Sequence, residues 1–361
     1  MCKLKMAMLR HGLLYLLSIA AAGAPALSTS HAADMAVDPD ALETLRKQGV
    51  NFPPDGASPS TVTAFKAYLR NKDAYADYLT RDELLRFRQV QQEKYAGIGL
   101  ELERDSRGAI ICYPDRQGPA GKAGVMAGDR LVAVDGLPIE GWALPSVVAR
   151  AAGSAGSTLA IEVDRGAARH RFSIIRTQRL GPSISSQRLG GRLTLRIASF
   201  TPNTRQELEF ELLHLKPREA LILDLRGNRG GDLHSAIDCA MLFLNKGEAV
   251  ASARRNDGVH PFVSAITGRW HGRTARLWQD AQTASAAEVF IAALTENNHG
   301  TSTGRKSFGK GTEQDLFVLG SGAALIVTTG FLVTPRGHDI DGRGIEPTMA
   351  LPAGAEPRTW R

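Results

Sequence analysis

The chain has 361 residues, which is enough for two or more domains, and 43% of them are hydrophobic, which is enough to build several cores. Its 44 basic residues against 37 acidic ones give a net charge of +7, without a basic stripe carrying interleaved aromatic residues. This modest excess does not indicate a nucleic-acid-binding protein.

Residues 1–32 have the pattern of a cleavable signal peptide. Lys3, Lys5 and Arg10 precede an apolar run at 12–22, and small residues follow up to the expected cleavage site after Ala32. Cleavage there removes three positive charges and no acidic ones, which leaves a net charge of +4. The apolar run is short for a membrane span, and no later segment is long enough for one. We therefore expect a periplasmic or secreted protein without a stable membrane span.

Residues 33–90 predict a helical N-terminal segment. Apolar residues recur at three- and four-residue intervals in 41–48, 59–69 and 81–95, and Pro-Pro-Asp-Gly at 53–56 separates the first two stretches. We assign no chemistry to this segment.

From residue 95 the hydrophobic period becomes that of short strands, which predicts a small β-rich domain over residues 91–178. Its predicted elements are strands at 97–102, 109–112, 128–136 and 158–163, a short helix at 118–124 and a longer helix at 144–152.

Strands and helices alternate further along the chain, which predicts an α/β core over residues 179–352, followed by a tail at 353–361. The predicted strands lie at 193–197, 220–225 and 325–329, and the predicted helices at 205–214, 233–244 and 285–296. The apolar stretch 220–225 has the composition of a strand that is buried on both faces.

Two short segments of this core offer a nucleophile and a base without a histidine. Ser285 lies in Thr-Ala-Ser-Ala-Ala-Glu, and Lys310 follows 25 residues later in Phe-Gly-Lys-Gly. A serine hydroxyl needs a neighbour that takes its proton, and a lysine can do so only where burial lowers its pKa. Gln314 offers an uncharged amide to hold the neutral amine, where a carboxylate would keep that amine charged.

Each of these residues also has an ordinary structural interpretation. Ser285 with Glu288 three residues later is, by itself, a capping box at the start of a helix. Such a start also favours developing negative charge, so the Ala286 amide is a candidate oxyanion donor. An isolated Lys310 would be a solvated surface residue.

Ser307 and Lys310 also match Ser-x-x-Lys, the arrangement of penicillin-binding proteins. That chemistry needs both residues on one helical turn, and the glycines on either side of Lys310 disfavour a helix.

Taken together and in this order, the segments resemble the carboxyl-terminal processing (tail-specific) proteases of peptidase family S41. Asp-Leu-Arg-Gly-Asn-Arg-Gly-Gly at 224–231 and Gly-Arg-Gly-Ile-Glu-Pro at 342–347 agree, so the resemblance extends over roughly residues 90 to 350. It implies that Ser285, Lys310 and Gln314 form the catalytic set. It also implies that Gly230, rather than Gly231, supplies the second oxyanion amide, although 224–231 alone would be only a strand-to-helix turn. The stretch 277–283 departs from the family because it lacks the usual asparagine and glycines.

The order of elements in 91–178 is similar to a PDZ domain, a module that adds a peptide to a sheet edge and binds its terminal carboxylate with backbone amides. This similarity implies that Ala96, Gly97, Ile98 and Gly99 form the carboxylate-binding loop. The alternative is a generic β-rich domain with glycine turns.

The sequence therefore predicts a multidomain α/β (α+β) protein with a helical N-terminal segment, a PDZ-like β-rich domain and an α/β serine-protease core. The expected function is that of an exported serine endopeptidase that cuts protein substrates near their C-termini. Its expected partners are a protein or peptide with a free C-terminus and an activating adaptor protein, without nucleic acid. The alternative is a non-catalytic PDZ-containing scaffold of the cell envelope.

No cofactor or metal is expected, because the sequence has no His-Glu-x-x-His motif, no cysteine pairs and no clustered carboxylates. Cys112 and Cys239 fall in different predicted domains. Two buried free thiols are therefore favoured over a disulfide.

Overall fold

The computed structural model describes residues 36–52, 59–91, 96–105, 108–115, 118–178 and 183–352. The expected signal peptide at 1–32 and the tail at 353–361 lie outside these residues. None of the described helices is long and apolar enough to cross a membrane.

The N-terminal segment begins with two helices whose starts are capped by side chains. Asp38 accepts a hydrogen bond from the Asp40 N–H, and Thr61 accepts one from the Ala64 N–H. The elements are α1 (Pro39–Gln48), α2 (Val62–Lys72), β1 (Asp77–Leu79) and α3 (Arg81–Gln91).

The N-terminal segment is mostly helical, but it also contains the short strand β1, which the sequence did not predict. This strand pairs antiparallel with a strand of the C-terminal part of the chain, with Asp77 opposite Ile326. Three residues are too few to show a period of two, and the pairing partner lies about 250 residues away. Phe65 and Leu69 of α2 share a hydrophobic core with Leu325 and Val327 of that partner strand, so the segment packs onto the C-terminal core.

The middle of the chain forms a six-stranded antiparallel sheet and a two-stranded one around its own apolar core. One predicted strand, 97–102, is divided in two at Gly99, whose φ of +64° breaks the extended backbone. The elements are β2 (Ala96–Gly97), β3 (Leu100–Arg104), β4 (Ile110–Pro114), α4 (Pro119–Ala123), β5 (Arg130–Val134), β6 (Leu137–Pro138), α5 (Leu144–Ala151), β7 (Thr158–Arg165), β8 (Ala168–Ile175) and β9 (Thr177–Gln178).

The C-terminal part of the chain contains two sheets. The elements are β10 (Ile184–Leu189), β11 (Arg192–Ile197), α6 (Thr204–Leu212), β12 (Leu221–Asp224), α7 (Leu233–Met241), β13 (Ala249–Arg255), β14 (Gly258–Val263), β15 (Ala275–Gln279), α8 (Ala286–Glu296), β16 (Gly300–Gly304), β17 (Thr312–Val318), β18 (Ala324–Val333) and β19 (Met349–Ala350).

The first of these sheets has the order β10-β11-β12-β15-β16-β19 and is parallel apart from β10. Every residue of β12 is buried, as expected for a central parallel strand. The second sheet is antiparallel and joins β1, β18, β13 and β14, with β17 also paired to β18. This arrangement places the loops after β12 and β15 side by side, because those two strands are parallel neighbours.

The two cysteines of the described residues, Cys112 in β4 and Cys239 in α7, are free and buried. Burial raises the pKa of the Cys112 thiol to about 12, and it also raises that of Cys239. Both are therefore unreactive packing residues rather than disulfide partners.

Candidate active site

Ser285 lies at the turn between β15 and α8, in a backbone conformation that only a few non-glycine residues adopt. Its φ is +57° and its ψ is −124°. Such strain costs about 1–3 kcal/mol and persists only where the surroundings impose it, which is common at functional sites. A sharp strand-to-helix turn of this kind exposes a serine hydroxyl at the edge of a sheet.

Glu288, in the first turn of α8, joins the turn at Ser285 to the loop that carries Lys310. One carboxylate oxygen accepts hydrogen bonds from the Ser285 N–H (2.7 Å) and the Lys310 N–H (2.9 Å). The other accepts from the Ser307 hydroxyl (2.5 Å) and the Gly309 N–H (2.7 Å). The side chain is fully buried, and this burial raises its pKa against the opposing effect of the four hydrogen bonds.

The lysine loop, residues 307–311, is held from the opposite side by the Gly-Arg-Gly-Ile segment. The Ser307 hydroxyl accepts from the Ile345 N–H (2.6 Å), and the Gly309 carbonyl accepts from the Gly342 N–H (2.9 Å). A Cβ on Gly309 would lie 2.9 Å from the Gly344 nitrogen. The loop therefore needs glycine for close packing, which also explains why no helical Ser-x-x-Lys turn forms at Ser307.

Lys310 is partly buried, and its Nζ lies 4.9 Å from the centre of the Tyr75 ring. Desolvation lowers the pKa of this lysine, and the positive charge of Arg229 lowers it further. The carboxylates of Glu288, Asp341 and Glu101 act in the opposite direction. A lowered pKa is the property that a lysine base requires.

Gly230 lies directly against the serine turn. It has a φ of +103°, and a Cβ there would come within 2.8 Å of the Ser285 Cβ and 3.0 Å of the Ala286 nitrogen. The Asn228 carbonyl accepts from the Ala284 N–H (2.9 Å), which fastens the two loops together. Only glycine permits this approach.

The three candidate oxyanion amides, those of Ala286, Gly230 and Gly231, differ in their hydrogen-bond acceptors. The Ala286 N–H belongs to the first turn of α8, where backbone donors lack intrahelical acceptors. The Gly230 N–H donates to the Asn228 side-chain oxygen (2.8 Å). The Gly231 N–H has no acceptor among the described residues, so it is the second candidate from the same loop.

The structure brings the serine and lysine loops together without joining their reactive atoms. Within the described part of the chain, no hydrogen bond links Ser285 Oγ to Lys310 Nζ. The amide of Gln314 donates to the Thr328 hydroxyl (3.3 Å). Catalytic hydrogen bonds are often long in a ligand-free protein and tighten only when substrate binds.

In the middle domain, the loop 96–99 is held in place by hydrogen bonds that its carbonyl groups accept. The Ile98 carbonyl accepts from the Ala120 N–H (2.8 Å), and the Gly99 carbonyl accepts from the Asp115 N–H (2.9 Å). The N–H groups of Ile98 and Gly99 have no acceptor among the residues described by the structure. Ala96 and Gly97 pair with β9.

Three contributors to the site were missed by sequence reasoning. Glu288 was noticed only as half of a capping box, although its spacing from Ser285 was the available signal. Tyr75 and Arg229 gave no local signal, because their contacts with the lysine loop depend on the tertiary fold. No group of three or more His, Cys, Asp or Glu residues in the described ranges could hold a metal ion.

The fold is that of a PDZ domain joined to a serine-type peptidase core. Residues 193–351 match the model of peptidase family S41, and residues 96–175 match that of the PDZ domain. The C-terminal part of the chain therefore carries a peptidase family S41 domain. The family resemblance and the mixed α/β fold class predicted from the sequence are therefore confirmed, while the domain boundaries and the site residues stay predictions.

Curated relatives agree with this assignment. A "Probable CtpA-like serine protease" of Staphylococcus haemolyticus is 29% identical over 284 residues, which cover 78% of this chain and 57% of that protein. A carboxy-terminal-processing protease of Bartonella bacilliformis is 29% identical over 321 residues, covering 86% of this chain and 74% of that protein. The chain thus spans little more than half the length of the staphylococcal relative.

Among solved structures, a photosystem II D1 C-terminal processing protease superposes with a TM-score of 0.75. The match covers 88% of this chain and 93% of the other, at 23% sequence identity. At this identity the likeness establishes the shared fold.

Proposed function

We propose that the protein is a serine endopeptidase in which Lys310 is the base for Ser285. The observation that carries this proposal is the backbone of Ser285, which is held in a strained conformation against Gly230 and tied through Glu288 to the lysine loop. A strained serine that is fastened to a loop carrying a partly desolvated lysine has the features of an activated nucleophile.

In this mechanism, neutral Lys310 takes the Ser285 proton as Oγ attacks a peptide carbonyl. The loop between β12 and α7 is called the glycine loop below. The amide of Ala286 and one amide of this glycine loop, Gly230 or Gly231, stabilise the oxyanion. Use of Gly230 requires its N–H to exchange the Asn228 oxygen for the substrate. The lysine ammonium then protonates the leaving amine, and water hydrolyses the acyl-enzyme by the same route.

The reaction requires Nζ to come within about 2.6–3.2 Å of Oγ. Because Nζ lies over the Tyr75 ring, rotation of the flexible lysine side chain is the expected adjustment. After that rotation, Gln314 would hold the lysine amine in position.

The substrate is proposed to be a polypeptide with a free C-terminus that binds to the middle domain. The unpartnered N–H groups in the loop 96–99 suit a terminal carboxylate, and β3 is an edge strand to which a peptide could be added. Export, with cleavage after Ala32, completes the proposal. We also propose that an adaptor protein activates the peptidase.

The test is cleavage of a library of unstructured peptides, read by mass spectrometry. Wild type should cut, whereas Ser285→Ala, Lys310→Ala and Lys310→Arg should each be inactive with an unchanged circular dichroism spectrum. Lys310→Arg is the sharpest variant, because a guanidinium does not give up its proton at any accessible pH. An active Lys310→Arg enzyme would overturn the assignment of the base.

A folded wild-type protein that cuts no peptide, yet binds peptides through residues 96–99, would instead support the non-catalytic scaffold.

A further inference from the structure

Arg229 belongs to the glycine loop, yet its side chain lies between the two domains. Its guanidinium is centred 3.7 Å from the Tyr113 ring of β4 and 4.9 Å from the Phe308 ring of the lysine loop. It also forms ion pairs with Glu103 and, at 3.8 Å, with Glu101, both on β3. The side chain is only 9% exposed.

Arg229 has three properties that bear on the proposed site. The backbone of Arg229 adjoins Gly230, which packs against Ser285. Its guanidinium contacts Phe308, two residues before Lys310. Its charge is buried, so it is screened by water less than a surface charge would be.

The charged and aromatic groups around the lysine amine divide into two sets. Arg229 is the cation that opposes a second positive charge, whereas Glu288, Asp341 and Glu101 favour one. The Tyr75 ring, at 4.9 Å, also favours an ammonium group. Glu101 reaches both Lys310 and Arg229 electrostatically, so the middle domain contributes to this balance.

We propose that Arg229 is a positioning residue for the Lys310 base. Clamped between Tyr113 and Phe308, it fixes the lysine loop and keeps a positive charge against that loop, which favours the neutral, proton-accepting form of the amine. Glu101 and Glu103 of the middle domain set the strength of this effect by partly neutralising the guanidinium. The inference rests on the proposed function, because it assumes that Lys310 acts as the base.

The test is the rate of Ser285 labelling by an alkyl fluorophosphonate as a function of pH, which needs no knowledge of the substrate. The wild-type rate should rise along one limb as Lys310 loses its proton. In Arg229→Met, which keeps side-chain length without charge, that limb should move about one pH unit toward alkaline pH. Arg229→Lys, which keeps the charge, should leave it near the wild-type position.

A second variant predicts a shift in the opposite direction. Glu101→Gln combined with Glu103→Gln removes negative charge that favours the ammonium form, so its limb should move toward acidic pH. The midpoint of a limb does not depend on the fraction of folded enzyme, so partial misfolding lowers the rate without imitating a shift.

An unchanged midpoint in an active Arg229→Met variant would overturn the role of Arg229. If Arg229→Met proves inactive at every pH, an unshifted limb in the double glutamine variant would overturn it as well. Failure of the proposed function looks different, because Lys310→Arg would then still react with the probe.

Discussion

At the scale of single residues, Glu288 is the connection on which the site depends. The Ser-x-x-Glu spacing predicted a helix start, and α8 does begin there, with the Glu288 carboxylate bound to the Ser285 N–H. The same carboxylate also holds Ser307, Gly309 and Lys310. Sequence reasoning singled out Ser285 and Lys310 because short local patterns mark them, whereas the link between their loops depends on tertiary packing.

We expect Glu288→Gln to impair catalysis and stability together. An amide has one acceptor oxygen and one NH₂ donor, so its NH₂ would face N–H and O–H groups that now donate to the carboxylate. Each buried donor left without a partner costs about 1–3 kcal/mol. Misplacing the two loops by about 1 Å should lower the rate of peptide cleavage about 100-fold.

The matched control is Glu248→Gln. Glu248 also accepts several hydrogen bonds, from Asn245 and His299, but lies outside the three loops of the site. Its variant should lose stability in thermal unfolding while keeping its cleavage rate per folded molecule. An equal loss of cleavage in both variants would mean that Glu288 has no specific role at the site.

At the scale of secondary-structure elements, the N-terminal segment packs against the residues of the proposed site. β1 extends the antiparallel sheet through β18, and the turn before β1 places Tyr75 over the lysine amine. The alternating elements of the core and the strands of the middle domain were predictable, because their hydrophobic periods are local. The role of the first segment was not, since it arises from pairing over about 250 residues.

Tyr75→Ala should move the alkaline-rising limb of fluorophosphonate labelling. Removing the ring lets water reach Nζ, which raises the pKa of Lys310, and it also removes a cation–π contact, which lowers it. Desolvation is the largest cause of the lowered pKa, and we expect its loss to outweigh the loss of the cation–π contact, which is worth about 2 kcal/mol when desolvated. We therefore expect a shift toward alkaline pH.

Tyr75→Phe keeps the ring and should leave the limb in place. A shift of Tyr75→Ala toward acidic pH would indicate that the cation–π contact, rather than burial, dominates at Lys310.

At the scale of the whole molecule, the middle domain contacts both other parts of the chain. Its helix α5 meets the N-terminal segment where the Ser146 hydroxyl donates to buried Asp77 (2.8 Å). Its strands β3 and β4 meet the glycine loop at Arg229. The sequence predicted the domain itself, but the contacts with its neighbours involve charged and aromatic side chains that look like ordinary surface residues in the sequence.

Peptides with a free C-terminal carboxylate should be cut at a higher kcat/KM than the same peptides amidated. The reason is that backbone amides in the loop 96–99 favour an anionic terminus. Gly97→Glu should reduce this preference by raising KM, because a Cβ at Gly97 meets nothing within 4 Å and the new carboxylate repels the terminus. Gly272→Glu, outside this domain and equally open, is the control for added charge. Equal cleavage of both peptide forms would remove the C-terminal specificity and leave the peptidase proposal intact.

The most direct test of the central claim is the site of covalent labelling by an alkyl fluorophosphonate, mapped by peptide mass spectrometry. The proposed Ser285–Lys310 pair predicts a single adduct on the peptide that contains Ser285. It also predicts that the adduct is lost in Lys310→Arg and retained in Glu248→Gln. Labelling of Ser285 at the same rate in Lys310→Arg, or labelling of another serine instead, would contradict it.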